Sequence, residues 1–151
     1  MGKIKSKNSK LTINKSPEEN QGCCSEQYPW FSFKSLTANA RYNLSKLPAG
    51  HEKVQVLDGL LAKLNELSNE PWVYWTQQPK NAGLETLTYD KLKFKANKGS
   101  VLTGDTTIYV FRFDTHLGVK KGRIIGYKES PCSVFHIIGY DLDFSAYDHG
   151  D

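Results

Sequence analysis

The stretch TIYVFRFDTHLGVKKGRIIGYKESPCSVFHIIGY, residues 107–140, decides the fold. Three runs in it are rich in β-branched and aromatic residues, which favour strands: 107–113, 123–128 and 133–140. The connectors between these runs, 114–122 and 129–132, contain glycine or proline, as hairpin loops commonly do. The stretch therefore predicts three consecutive strands joined by hairpins.

The segment before these strands predicts a long helix. Between Glu52 and Leu67, apolar residues recur at steps of one and three, which is the spacing of one helix face. The residues of this stripe are Val54, Leu57, Leu60, Leu61, Leu64 and Leu67. We expect the stripe to face the core and Pro71 to stop the helix.

Three shorter elements are also predicted. Aromatic residues partly alternate in 28–33, as in a first strand, and Leu92 and Phe94 alternate with lysines, which makes 91–96 a plausible strand. Thr37 is a suitable N-cap for a short helix from Ala38 to about Leu47, which Pro48 and Gly50 would end.

Helices followed by consecutive strands predict an α+β fold, with one or two helices on one face of an antiparallel or mixed sheet of about four to five strands. The length of 151 residues fits one domain, which we expect to span 28–151. Residues 1–27 contain five lysines, no acidic residue before Glu18 and few apolar residues. They predict a flexible basic arm.

Composition limits the classes of function. The net charge of +4 permits an acidic partner such as nucleic acid without requiring one. No apolar run approaches the roughly 20 residues that span a bilayer, and the N-terminus lacks the apolar region of a secretory signal. The absence of such segments predicts no membrane partner. The three cysteines, Cys23, Cys24 and Cys132, lack the CxxC spacing of a zinc site, so we expect reduced thiols and a cytoplasmic protein. No nucleotide, metal or serine-hydrolase motif is present, and no cofactor is predicted.

Two arginines are candidates for an anion site. Side chains alternate faces along a strand, so symmetric pairing about the 114–121 loop places Arg112 directly opposite Arg123. Facing like charges are unfavourable unless an anion lies between them, and guanidinium groups bind phosphate oxygens in a bidentate manner. The alternative is two arginines in water or paired with Glu129 or Asp114.

The other candidate catalytic residues are two histidines and a tyrosine. His149 lies beside Tyr147 at a polar C-terminus and could exchange protons at neutral pH. Arginines near Tyr147 could lower its pKa, so that it shares this work. The alternative is a frayed chain end. His136, within an apolar run, is either a further catalytic residue or a satisfied sheet-face residue.

A basic segment precedes residue 107 and is a candidate RNA-binding surface, because lysines can hold a nucleic-acid backbone while interleaved aromatic rings stack bases. The predicted RNA-binding residues are Lys80, Lys93, Lys95, Tyr127 and Lys128. The alternative is an amphipathic strand whose lysines are merely solvated.

Residues 52–149 resemble the RelE/YoeB-type bacterial toxins, small ribonucleases that cut messenger RNA, commonly on the ribosome. The resemblance consists of the leucine-striped helix, the lysine-rich segment, FRF, GRIIGY, VFHIIGYDLDF and a terminal tyrosine or histidine. It implies that Arg112 and Arg123 hold the scissile phosphate, that Tyr147 or His149 is the general acid or base, and that Lys93 or Lys95 assists.

The same resemblance implies a metal-independent endoribonuclease with RNA as substrate, the ribosome as a candidate site of action and an antitoxin protein as partner. Two alternatives stay open. One is a non-catalytic nucleic-acid- or protein-binding module, with a phage as a candidate source, that uses the 1–27 arm and Trp72, Tyr74 and Trp75. The other is a small-molecule or structural phage-type protein.

Overall fold

The computed structural model describes residues 28–47, 49–80, 84–100, 102–118, 121–129 and 134–149. The predicted basic arm and all three cysteines lie outside these residues. The described part contains the helices α1 (His51–Ser68) and α2 (Trp72–Thr76) and five strands. The strands are β1 (Trp30–Ser32), β2 (Leu84–Thr88), β3 (Thr107–Asp114), β4 (Lys121–Lys128) and β5 (Val134–Asp141).

The strands form one mixed sheet in the order β1-β5-β4-β3-β2. β1 pairs with β5 in parallel, and the other three pairs are antiparallel. The predicted α+β class and the three consecutive strands of 107–140 are confirmed.

Different parts of the chain pack on the two faces of the sheet. Both helices pack on one face, where Trp72 lies against Phe111 and Phe135 with ring centroids 6.3 and 5.8 Å away. The other face buries a second apolar cluster, which includes Val110, Ile125 and Ile138. Irregular segments cover that face, and they contribute Tyr42, Leu92, Phe94, Ala146 and Tyr147.

The helix α1 confirms the predicted span but not the predicted face. Val54 and Leu61 are 63% and 65% exposed, whereas Val56, Leu60 and Leu67 are buried together with Gly59 and Lys63. Gly59 explains this orientation, because a Cβ there would come within 1.7 Å of the Asp114 carbonyl oxygen. Glycine lets the helix backbone approach β3, and this contact fixes which face turns inward.

The predicted helix at 38–47 is wrong, because the segment forms successive turns. The side chains of Asn39 and Asn43 accept hydrogen bonds from the amides of Arg41 and Ser45, which competes with helical hydrogen bonding. Leu44 has a left-handed φ of 66°, which a helix does not allow.

The predicted strand at 91–96 is also wrong. A 3₁₀ turn at Tyr89–Lys91 is followed by an irregular segment in which Leu92 and Phe94 are buried. The alternation is therefore present, but the Lys93 amide bonds to the Ala146 carbonyl oxygen (2.8 Å) rather than to a strand. The strand that pairs with β3 on the side away from β4 is β2, and the sequence predicted no element there.

The aromatic run at 72–75 contributes to the core rather than to a contact surface. Trp72 and Trp75 are 1% and 4% exposed, which contradicts their proposed role in partner binding. Tyr74 alone of the three rings reaches solvent, at 41% exposure.

Candidate functional site

The chain after β5 folds back onto the sheet, and Asp141 fixes this turn. Its buried carboxylate accepts hydrogen bonds from the backbone amides of Asp143 (3.3 Å), Ser145 (3.1 Å) and Ala146 (3.2 Å). Hydrogen bonds to an ionised acceptor are among the stronger ones in proteins. One side chain therefore fixes the turn over residues 143–146.

Further contacts hold the C-terminal segment, residues 142–149, in place. The Tyr42 hydroxyl donates to the Ser145 carbonyl oxygen (3.2 Å), and Arg41 Nη2 pairs with Asp143 Oδ2 at 2.6 Å. Lys93 forms an ion pair with Asp148. The alternative of a frayed end is therefore wrong for residues 142–149.

The contact with Arg41 also affects the pKa of Asp143. Burial disfavours its charged form, but hydrogen bonds from Ser145 and Arg41 outweigh that effect and hold the pKa of Asp143 below its ordinary value.

The structure confirms that Arg112 is paired directly with Arg123 across β3 and β4. Arg123 is 4% exposed, and its guanidinium lies 3.9 Å from the ring centroid of Phe144 and 5.9 Å from that of Tyr147. The C-terminal segment therefore covers the face that contains the arginines. Arg123 Nε and Nη1 and Arg112 Nε are buried without a hydrogen-bond partner. Buried N–H groups of this kind are costly unless an acceptor reaches them.

A carboxylate that sequence patterning missed, Glu85 on β2, links the site. Its side chain is 13% exposed and lies 3.8 Å from Arg112 Nη2 and 3.4 Å from Lys80 Nζ. The Tyr147 hydroxyl donates to Glu85 Oε2 at 3.1 Å. Asp114 and Glu129 were the alternative ion-pair partners predicted for the arginines. Asp114 instead pairs with Lys121 at 3.0 Å, and Glu129 lies beside His136.

The expected lowering of the Tyr147 pKa is wrong. Burial first, and the nearby Glu85 carboxylate second, raise the pKa of Tyr147 above its ordinary value, and the opposing effect of Arg123 is smaller. The hydroxyl therefore stays protonated over the physiological range and cannot act as a general base.

His149 lies at the outer edge of the same site. Its ring centroid is 4.3 Å from that of Tyr147 and 5.6 Å from that of Phe144, and the residue is exposed. His149 is therefore an exposed imidazole in contact with both rings that lie over Arg123.

His136 does not join the arginines. It pairs with Tyr127, four residues beyond Arg123 on β4, a separation of roughly 13 Å at strand spacing. Its ring stacks on Tyr127 at 4.8 Å, and its Nε2 atom is 3.3 Å from a Glu129 carboxylate oxygen. With Ser35 it lines a separate cavity of about 300 Å³.

The predicted RNA-binding residues divide into two groups. Lys80 and Lys93 contact the candidate site through Glu85 and Asp148, and Lys95 is exposed, with its Nζ atom 5.1 Å from the ring centroid of Tyr89. Tyr127 is 9% exposed and Lys128 extends over Trp72 on the helical face. These last two therefore do not form one surface with the others.

The described part of the chain has neither a metal-binding cluster nor a helix suited to span a membrane. Residues 28–149, with the gaps given above, contain no group of three or more histidine, cysteine or acidic side chains that could hold a metal ion. Within the same residues, no helix has the length and apolar character to cross a membrane.

Comparisons of the chain with models of known protein families, with curated proteins and with solved structures gave no match. The chain is an α+β protein in which the sheet face opposite the helices contains the Arg112–Arg123 pair, with Arg123 buried and Arg112 partly exposed.

Proposed function

We propose that this protein is a RelE-like toxin that cleaves messenger RNA without a metal ion. The observation that supports the proposal is the pairing of Arg112 with Arg123 beneath a C-terminal segment that contains Tyr147 and His149. An antitoxin protein would be its partner, and the ribosome is a candidate site of action.

In the proposed reaction, the arginines bind the scissile phosphate and stabilise the charge that develops on it. The ribose 2′-oxygen attacks phosphorus, the bond from phosphorus to the 5′-oxygen breaks, and the products are a 2′,3′-cyclic phosphate and a 5′-hydroxyl. His149 accepts the 2′-hydroxyl proton, and the leaving 5′-oxygen takes a proton from Tyr147. Tyr147, whose hydroxyl is protonated over the physiological range, would act only as a donor.

The described conformation would be a closed form of this site. Phe144 covers Arg123, and the Glu85 carboxylate lies near Arg112 where a phosphate oxygen would bind. RNA binding would therefore displace Glu85 and shift the C-terminal segment. The partly exposed Arg112 would meet the phosphate first, with the exposed Lys80 and Lys93 holding the flanking backbone.

The experiment is incubation of the purified protein with RNA, with and without ribosomes, in the presence of a chelator. We expect cleavage that His149→Ala or Arg112→Ala reduces by at least about a hundredfold, the usual contribution of a general acid or base. His51→Ala, which removes an exposed histidine at the start of α1, is the matched control and should leave cleavage unchanged. Absence of cleavage under both conditions would overturn the proposal.

Expression in bacterial cells provides a second test. Induction should arrest growth, and His149→Ala should relieve the arrest. Growth that is indifferent to expression of the wild-type chain would contradict a toxin function.

A non-catalytic nucleic-acid-binding module is the second candidate, favoured by three exposed aromatic residues at and beside β1. Tyr28, Trp30 and Phe33 are 50%, 70% and 51% exposed and could stack on bases. This candidate predicts salt-dependent RNA retention that survives deletion of residues 147–151. Loss of retention on that deletion would contradict it.

A further inference from the structure

The helix α1 presents an apolar stripe to solvent. Val54, Leu57 and Leu61 are 63%, 36% and 65% exposed, and Leu64 is partly buried. Their spacing of three, four and three residues is that of the a and d positions of a coiled coil. The face of α1 that packs on the sheet is a different one, centred on Val56, Gly59, Lys63 and Leu67. The stripe is therefore a second apolar surface that the described fold leaves uncovered.

We propose that this stripe is a homodimer seam, in which α1 packs in parallel against α1 of a second copy of the chain. This inference goes beyond the proposed function and does not depend on it. A second copy supplies the same stripe, so that a twofold axis along the helices pairs Val54, Leu57 and Leu61 with themselves.

The charges beside the stripe favour a second copy in parallel orientation. With Val54 and Leu61 at a positions, Lys53 occupies a g position and Asp58 the following e position. In a parallel pair, g and the partner's next e are neighbours, so each Lys53 faces the partner's Asp58. The Asp58 side chain is 79% exposed, with Oδ2 3.7 Å from His116 Nε2, and can turn toward a partner.

The antiparallel arrangement is disfavoured by the same residues. In an antiparallel pair, Val54 would pack on the partner's Leu64 and Leu57 on the partner's Leu61. The twofold axis would then cross the helices near residue 59. Asp58 would then lie beside the partner's Asp58, and like charges at this spacing repel.

The seam covers about two heptads, which is less than a standard stable interface. The dimer should therefore be concentration-dependent, and sedimentation of the full chain over a range of concentrations should show a monomer–dimer equilibrium. Leu61→Lys should raise the dissociation constant by at least about tenfold. Ala62→Lys places the same charge on an exposed position outside the stripe and should leave the equilibrium unchanged. Circular dichroism verifies that both variants are folded.

Charge reversal tests the orientation. Asp58→Lys turns two attractive pairs into repulsive ones and should weaken the dimer by about tenfold. Addition of Lys53→Glu to the same chain should restore the wild-type dissociation constant, because each pair is again of opposite sign.

Three results would overturn the proposal. The first is a chain that stays monomeric at every concentration, as it would if another segment of the chain or a different protein covered the stripe. The second is a dimer that Leu61→Lys leaves intact. The third is a double variant, Lys53→Glu with Asp58→Lys, that dimerises no better than Asp58→Lys alone.

Discussion

Replacement of Asp141 by alanine should release the C-terminal segment from the sheet. The carboxylate is fully buried and accepts three backbone amide hydrogen bonds, at 3.1 to 3.3 Å. Hydrogen bonds to a charged group contribute about 1.5–3 kcal/mol each, but the freed amides regain water when the segment detaches. We therefore expect a loss of about 3–5 kcal/mol in the free energy of unfolding, which is less than the sum of three such hydrogen bonds.

Asp141→Asn gives an intermediate expectation. Its carbonyl oxygen can replace Oδ1, which receives the amides of Asp143 and Ser145, but its NH₂ group would face the Ala146 amide in place of Oδ2. The loss should be about 1.5–3 kcal/mol. Asp90→Ala removes an exposed carboxylate and should change stability by no more than about 0.5–1 kcal/mol.

Urea denaturation measures these differences, and hydrogen exchange of the 143, 145 and 146 amides locates them. An Asp141→Ala variant within about 0.5 kcal/mol of wild type would refute the reasoning. Wild-type protection of those three amides in the variant would refute it equally.

Three further perturbations test the packing and the ionisation of the same face and of α1. Gly59→Ala should destabilise the fold by about 1–3 kcal/mol despite the better helix propensity of alanine, because its Cβ would overlap the Asp114 carbonyl oxygen; an unchanged or higher melting temperature would contradict the close approach of α1. Burial raises the pKa of Tyr140 to about 12 and also raises the pKa of Tyr147. The folded state therefore holds both hydroxyl protons more tightly than the unfolded state does. The contribution of these two tyrosines to stability should therefore be constant below pH 10 and fall above it, and Tyr147→Phe should reduce the alkaline slope; an identical slope in the variant would exclude Tyr147 as a contributor. The pKa of Asp143 is lowered rather than raised, so this carboxylate stabilises the fold above pH 3.8, and the stabilisation is lost as the pH falls below that value. Asp143→Asn should therefore reduce the loss of stability at acid pH, and an unchanged loss in the variant would contradict the Arg41 contact.

The strands of 107–140 were predictable because their runs are long and rich in β-branched and aromatic residues. The pairing of Arg112 with Arg123 required in addition a register symmetric about the 114–121 loop, which the sequence left open because a slip of one residue would place the two arginines on opposite faces. The structure has the symmetric register. The function that this pairing supports remains a proposal.

The inward face of α1 could not be found in the same way. Its buried positions include Gly59 and Lys63, which carry no apolar signal, while the regular leucine spacing follows a neighbouring exposed stripe. Lys63 is tolerated because its ammonium pairs with Glu66 at 3.1 Å and lies 5.2 Å from the Trp75 ring centroid. Tertiary contacts decided between two apolar faces of one helix.

Two acidic residues of the candidate site were also invisible to patterning. Glu85 belongs to a five-residue strand whose LETLT sequence gives little signal, and its role depends on the fold that brings Arg112 and Tyr147 to it. Asp141 acts through backbone amides two to five residues later, which requires a turn with Phe144 at a φ of 62°. Positive φ at phenylalanine is not expected from sequence.

The most direct test of the proposed chemistry compares two substrates that differ in one hydroxyl. The purified full chain is incubated, in a chelator and with and without ribosomes, with an RNA that it cuts and with the same RNA bearing deoxyribose on the 5′ side of the cleaved bond. Because the 2′-oxygen is the proposed nucleophile, we expect cleavage of the first to a 2′,3′-cyclic phosphate and no cleavage of the second at that position. Cleavage of both, or of neither substrate under either condition, would contradict it.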